Sequence, residues 1–418
     1  MWLRKNHLLS CFILLLLGVS SLRAADLEYA SPEAVGMSSA RLETMHRFVE
    51  ESVASYPLTG AITLVARRGK IVDFTTYGFQ DKLAGTPMKK DAIFALASMT
   101  KTIVSAGAMV LVEQGKIRPS DPIAKFLPEF NRPRVFVRME NGQPITRPAT
   151  SPILVRHLLT HTAGWPANGK GEPDLAALYA ADNFQAASSL AELVTKLAQH
   201  PLQDDPGTAY VYGPAIDVLG ALIERVSDMT LHDFLTQHFY IPLGMTDTSF
   251  AVPAAQRHRL VQVFNRQDGT LVYAPDQTQH GDQRRPYASG GGGLYSTATD
   301  YFRFAQMLLN GGTFQGHSVL GKKTVESMMR NQTGFLGDGV KSNNLSEAYG
   351  YGGSVKIDPF YEKDMSSIGS YGWGGAVSTW YRIDPTEELV MMFFTQHLPM
   401  ASALMPPFAN TALQAIVE

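Results

Sequence analysis

The sequence predicts an α+β fold, an antiparallel sheet flanked by helices with a mainly helical domain inserted into it. Three observations carry this expectation. Runs rich in Ile, Val, Thr, Phe and Tyr cluster near both ends of the chain. Between them lies a long stretch of helical patterns broken by Pro- and Gly-containing loops. The segment Ile103 to Val112 is apolar almost without interruption, which marks a helix buried on every side.

The elements follow in chain order. Arg4 and Lys5 precede an apolar run from Leu8 to Val19, and the small residues Ala24 and Ala25 follow Arg23. That layout is a secretory signal peptide over residues 1–24, so a secreted or periplasmic protein is expected, with no stable membrane span after cleavage. An uncleaved anchor is the alternative, but the run is short against the roughly 20 residues a bilayer span needs. The one cysteine, Cys11, lies inside that segment. The mature chain therefore has no disulfide, no Cys nucleophile and no thiolate metal ligand.

Ser39 to Ser55 has helical spacing, with Leu42, Met45, Val49 and Val53 on one side. Residues 60–67 and 71–77 read as strands of a hairpin turned at Arg68-Gly69-Lys70. Residues 98–115 form the buried helix. From 117 to 285 few strand-like runs appear, and Ile216, Leu219, Ile223 and Val226 mark one clear helix. Helix is expected again from Leu294 onward. Ala376–Ile383 and Leu389–Thr395 read as strands around the turn Asp384-Pro385-Thr386-Glu387, and a short helix is expected near 409–417. The segment between Asn331 and Ser370, rich in Gly, Ser and Asn, is expected as a loop over the cleft. Residues 30–116 and 286–418 are thus expected to build one discontinuous α/β domain around a helical domain of residues 117–285. The cleft between the two is the natural ligand site.

Composition excludes several function classes. The chain has 36 basic and 38 acidic residues, a net charge of −2, and no basic tract or stripe, so a nucleic-acid partner is not expected. It shows no acidic tail, low-complexity run or fixed-period repeat.

The chemistry centres on Ser98-Met99-Thr100-Lys101, where the β-rich start meets the buried helix. Positions i and i+3 share a helix face, so Ser98 and Lys101 are neighbours. A serine hydroxyl is a poor nucleophile until a base takes its proton. A lysine can take it only when neutral, and burial on an apolar helix disfavours the charged form. Ser98 at a helix N-terminus also aims backbone N–H groups at an oxyanion. Alone, a Ser-x-x-Lys match is a weak signal.

More windows accompany it. Ile93 to Lys101 is followed by Val155-Arg156-His157-Leu158-Leu159-Thr160-His161-Thr162-Ala163-Gly164, then Pro206-Gly207-Thr208 and Pro242-Leu243-Gly244-Met245. Ser289 to Thr297 and Tyr371-Gly372-Trp373-Gly374-Gly375 complete the series. In this order, and over about residues 30–415, the chain resembles the serine β-lactamase, penicillin-binding and carboxylesterase superfamily. The resemblance implies a β-lactamase/transpeptidase-like fold and an acyl-enzyme mechanism.

Carried over by position, Tyr212 matches the second catalytic element of that superfamily, a phenol relaying protons between Ser98, Lys101 and the leaving group. Tyr210 is its competitor in Tyr210-Val211-Tyr212. The lactamase Tyr-x-Asn is Tyr212-Gly213-Pro214 here, without the amide. The lactamase Lys-Thr-Gly is matched by Trp373-Gly374-Gly375, which lacks the lysine that would meet a substrate carboxylate. The two glycines permit close backbone approach, and the N–H groups of Ala376 and Ser98 would form the oxyanion hole. Trp373 offers apolar area and one donor, or alternatively packs the sheet edge. In this the chain resembles family VIII carboxylesterases, which implies small uncharged esters as substrates. No cofactor or metal is expected.

Other motifs are weaker. His157 and His161 have i, i+4 spacing, but Leu158 replaces the Glu of a zinc-protease helix and no third ligand is evident. No Gly-x-Ser-x-Gly elbow exists, which argues against the α/β-hydrolase fold. Ser289 to Gly293 lacks a phosphate-loop context and reads as a tight loop at the cleft. The alternatives left open are a β-lactamase or D-amino-acid peptidase, an acyltransferase, and a non-catalytic ligand-sensing relative.

Overall fold

A computed structural model describes residues 26–418 except 56–57, 167–170, 279–280, 284, 335, 337–345 and 359–363. The expected signal segment lies outside the described residues.

One eight-stranded antiparallel sheet organises the molecule. Its strands are β1 (Gly60–Arg67), β2 (Lys70–Asp81), β3 (Thr86–Pro87), β4 (Glu347–Tyr349), β5 (Ser354–Lys356), β6 (Tyr371–Gly374), β7 (Thr379–Asp384) and β8 (Leu389–Phe394). They lie in the order β4-β5-β6-β7-β8-β1-β2-β3. Strands from both ends of the chain therefore meet in the middle, where β1 pairs with β8 in the register Ile62↔Phe394 to Arg67↔Leu389. Every residue of β1, β7 and β8 is buried. A sheet covered on both faces reads as continuous apolar runs rather than alternation.

The two faces pack on different helices. Ala61, Val65, Met391 and Phe393 share a core with α1 (Ser39–Ser55) and the C-terminal helix through Met45, Val49 and Phe408. Ile62, Leu64, Met392 and Phe394 share the other core with α2 (Thr100–Glu113), α3 (Ala215–Ser227) and α4 (Ala298–Leu309). Helix α2 is buried without a break from Thr100 to Leu111, the outcome its all-round apolarity requires. Gly107 lets this helix approach its neighbours, for a Cβ there would sit 3.0 Å from Leu235 Cδ2.

Several elements differ from expectation. The segment 117–285 contains a hairpin, Arg134–Glu140 paired with Gln143–Pro148, and a second pair, Phe264–Gln267 with Thr270–Tyr273. The first turns at Asn141-Gly142, both in left-handed backbone (φ 50° and 75°), the conformation an Asn-Gly hairpin turn needs. Leu294 does not begin a helix: Tyr295–Thr297 is a short strand, and Thr297 then caps α4 by accepting from the Asp300 N–H. The strand expected from Ala376 starts at Thr379, because Gly375 to Ser378 forms the turn. The last helix, α5 (Met405–Leu413), lies a turn earlier than expected. The expected cleft loop between Asn331 and Ser370 falls partly outside the described residues, and its described part supplies β4 and β5 of the sheet.

Candidate active site

Ser98 sits in a single 3-10 turn, Ala97–Met99, between the strand Ile93–Ala95 and the start of α2. Ala97 adopts left-handed backbone at φ 45°, which a residue with a Cβ seldom does. That elbow leaves the Ser98 side chain half-buried at the cleft while its neighbours Ala97 and Met99 enter the core. One turn on, Lys101 is buried at 4% exposure. Its Nζ lies 3.1 Å from Ser98 Oγ and donates to the Gly291 carbonyl at 2.5 Å. The same Nζ stands 4.5 Å from the centre of the Tyr212 ring.

The glycine run is what offers that carbonyl. Asp217, in the first turn of α3, accepts from the Ser289 hydroxyl at 2.7 Å and from the Gly291 N–H at 3.0 Å through one oxygen. A Cβ on Gly291 would meet the other Asp217 oxygen at 2.6 Å, and one on Gly290 would meet the Ile216 carbonyl at 2.5 Å. Only glycine allows the loop to lie this close to the helix and present its carbonyl to Lys101.

Tyr212 is held from two sides. Its ring lies 4.5 Å, centre to centre, from that of His161, whose Nδ1 accepts from the Gly213 N–H at 3.4 Å. His161 is fully buried with left-handed backbone (φ 55°). Burial first, and the Lys101 charge second, hold this imidazole well below its usual titration range, so it is neutral. On the other side Trp373 Nε1 donates to the Tyr212 hydroxyl at 3.4 Å. Tyr210 instead packs against His161 and Tyr349 and lines neither described cavity at Ser98.

The strand β6 brings Trp373 and the glycines to the same place. A Cβ on Gly375 would lie 2.3 Å from both the Leu96 carbonyl and Thr379 Oγ1, so this backbone can run here only as glycine. The next N–H, that of Ala376, is exposed and has no partner among the described residues.

Two cavities meet at Ser98, Tyr212 and Ala376. One, about 350 Å³, has Lys101, Gln185, Asp217, Arg285 and Tyr287 in its wall. The other, about 380 Å³, passes Trp373 and Gly374 toward Trp380, Met400 and Met405, with Asp364 and the Arg382–Glu347 ion pair also in its wall. Both sizes suit a small organic ligand. Ser98, Lys101, Tyr212, Trp373, Gly374 and Ala376 all line one or both, while Gly375 sits behind the wall. Sequence reasoning missed Asp217 and Arg285, and it weighed His161 as a metal ligand or a structural histidine rather than as a neighbour of Tyr212. The paired polar positions Asp217 and Ser289 carried no motif that linked them.

His157 and His161 do not converge on a common ligand position. His157 Nδ1 accepts from the Leu154 N–H at 3.1 Å, and His161 faces Tyr212. No cluster of three or more metal-ligating side chains occurs among the described residues. No helix among them is long and apolar enough to cross a membrane.

The family model described as Beta-lactamase matches residues 45–414, most of the chain. The chain belongs to the β-lactamase family. Among its relatives is the Mycobacterium tuberculosis protein Rv1367c, 33% identical over 358 residues, covering 82% of this chain and 86% of that one. Esterase EstB of Burkholderia gladioli is 29% identical over 385 residues, covering 87% and 93%. Among solved structures, EstCE1, described as a hydrolase with promiscuous acyltransferase activity, superposes with a TM-score of 0.77. It shares 22% identity and covers 91% of this chain and 99% of that one, a likeness of fold. The β-lactamase-like α+β fold read from the sequence is therefore the fold of this chain, and a small-molecule hydrolase is the class its family indicates.

Proposed function

We propose that this protein is a serine hydrolase that cleaves small carboxylic esters through an acyl-enzyme on Ser98. The observation that carries the reading is the 3.1 Å approach of Ser98 Oγ to Lys101 Nζ under the Tyr212 ring, beside an Ala376 N–H that has no partner among the described residues. In the form with Lys101 as the neutral amine, Ser98 Oγ bonds to the ester carbonyl carbon as its proton passes to that amine, whose orientation the Gly291 carbonyl fixes. The N–H groups of Ser98 and Ala376 receive the oxyanion. The carbon–alkoxide bond then breaks, and the alkoxide takes a proton by way of Lys101 and Tyr212. Water attacks the acyl carbon, gives its proton to the same pair, and Ser98 leaves with a proton restored. Trp373 in place of a lysine supports the absence of a carboxylate at that position of the substrate, since the other cation on that side, Arg382, is paired with Glu347.

A second reading, acyl transfer, is favoured by the second cavity, which offers room for an alcohol where water would attack. A short-chain p-nitrophenyl ester and nitrocefin, given in parallel to the purified protein, test the assignment. Ester cleavage without nitrocefin turnover is expected. Fast nitrocefin cleavage would replace the esterase reading with a β-lactamase one.

A further inference from the structure

The cavity that Lys101 and Asp217 line at Ser98 contains a further cation that the reaction does not use. Arg285 lies half-buried in its wall, with Tyr287 and Asp217. Its guanidinium is fixed through one N–H group, which donates to Gln185 Oε1 at 2.6 Å. No carboxylate of the described residues lies within ion-pair distance of it. The nearest acid in the wall, Asp217, spends one oxygen on the Ser289 hydroxyl and the Gly291 N–H, holding the loop that presents the Gly291 carbonyl. Arg285 thus stands in the wall of a cavity that reaches the nucleophile, with one of its N–H groups anchored by Gln185 and no acid paired to it among the described residues.

We propose that Arg285 is the recognition residue for a carboxylate carried by the substrate at a distance from the scissile ester, so that the preferred substrates are monoesters of dicarboxylic acids. A planar guanidinium matches a carboxylate in two parallel hydrogen bonds. Fixing it by a neutral amide, rather than by an acid, leaves its charge available to the ligand. Gln185 and Arg285 come from separate parts of the chain, so the cation is positioned by the fold and not by its own loop alone. The loss of the lysine at Trp373 bears on the other cavity and leaves this one free to take an anion. The acyl chain would lie in the Arg285 cavity and the alcohol in the Trp373 cavity.

This inference rests on the ester-hydrolase reading, and the test separates the two. The full mature protein is assayed on p-nitrophenyl monoesters of glutaric to suberic acid. Each is paired with a neutral ester of equal length whose carboxylate is replaced by a branched methyl end, and Ser98→Ala supplies the background. The expected result is a wild-type kcat/KM at least tenfold higher for the carboxylate ester at one chain length, carried by KM. That ratio is expected to fall tenfold or more in Arg285→Met and to be partly kept in Arg285→Lys. It is also expected to shrink as salt rises, because part of the attraction is screened. A wild-type ratio near one at every length overturns the proposal and leaves the esterase reading intact. So does an Arg285→Met ratio within twofold of wild type. Turnover of neither ester removes both.

Discussion

Trp373 donates its indole N–H to the Tyr212 hydroxyl across 3.4 Å, from a strand 161 residues further along the chain. An indole has no acceptor, so in this pair the phenol oxygen must accept and its own proton must point elsewhere. The Tyr212 ring also lies over Lys101, whose Nζ is 3.1 Å from Ser98 Oγ. The tryptophan therefore does more than line a cavity; it removes one direction in which the phenol could donate. Trp373→Phe keeps most of the ring and removes the donor. One net hydrogen bond is worth roughly 1 kcal/mol, so kcat should fall about fivefold with little change in KM. Steady-state kinetics on a neutral ester measures the split, and a change confined to KM would assign Trp373 to packing alone.

Ser98→Ala should abolish turnover and labelling by a fluorophosphonate while leaving the melting temperature within a degree or two. The side chain is half-buried in a one-turn helix, and its loss opens no core cavity. Wild-type-like turnover by this variant would remove the mechanism.

Gly375→Ala places a methyl group 2.3 Å from two oxygens, one of them the Leu96 carbonyl two residues before Ser98. The strand must retreat and take the Ala376 N–H with it. Removing one oxyanion donor typically lowers kcat by about a hundredfold or more. The expected loss is of that size, with the fold retained by circular dichroism. Activity within threefold of wild type would exclude Ala376 from the oxyanion hole.

Acid should weaken the protein through a histidine that catalysis does not use. Burial, and then the Arg156 charge, push His157 down to about 4, against 6.5 for the unfolded chain. Between those values the unfolded state binds the extra proton, so stability is complete above pH 6.5 and is lost as the pH falls toward 4. Such a shift corresponds to about 3 kcal/mol. Asp300, raised to about 6 by its own burial, works in the opposite direction over part of this range. The difference between wild type and His157→Asn isolates the histidine, because asparagine can still accept from the Leu154 N–H. Urea titrations at pH 7 and pH 4.5 should show the wild type losing more stability than the variant. Parallel losses would refute the assignment.

Much of this architecture is legible in the sequence where one physical signal dominates. Leu42, Met45 and Val49 delimit α1 because only one face of it is buried. The unbroken apolar run after Ser98 can only be an interior helix. The hairpin at Asn141-Gly142 was equally readable from its turn residues, but its strands are largely exposed and lack a continuous apolar run. The start of α4 went unread because Thr297 both closes a strand and caps the helix. In the candidate site, Ser98 and Lys101 are readable because one helical turn joins them. Tyr212 and Trp373 come from the resemblance, not from local pattern. Asp217 and Arg285 carry no such signal, since what makes them matter is who lies beside them across long loops: Asp217 with Gly291, and Arg285 with Gln185.

The pairing of β1 with β8 also fixes when the protein can first act. Leu64 lies opposite Met392, so a central strand made early in synthesis waits for a partner made near its end. Contacts that distant in sequence form slowly. Until they form, β1 offers an open, apolar edge of the kind that associates with other chains. The nucleophile and base are synthesised long before Ala376 and Trp373 arrive, so a nascent chain holds a serine beside a lysine without the groups that would make them work. Catalysis is in this sense a late product of biosynthesis, and the interval before it is the chain's most vulnerable to aggregation.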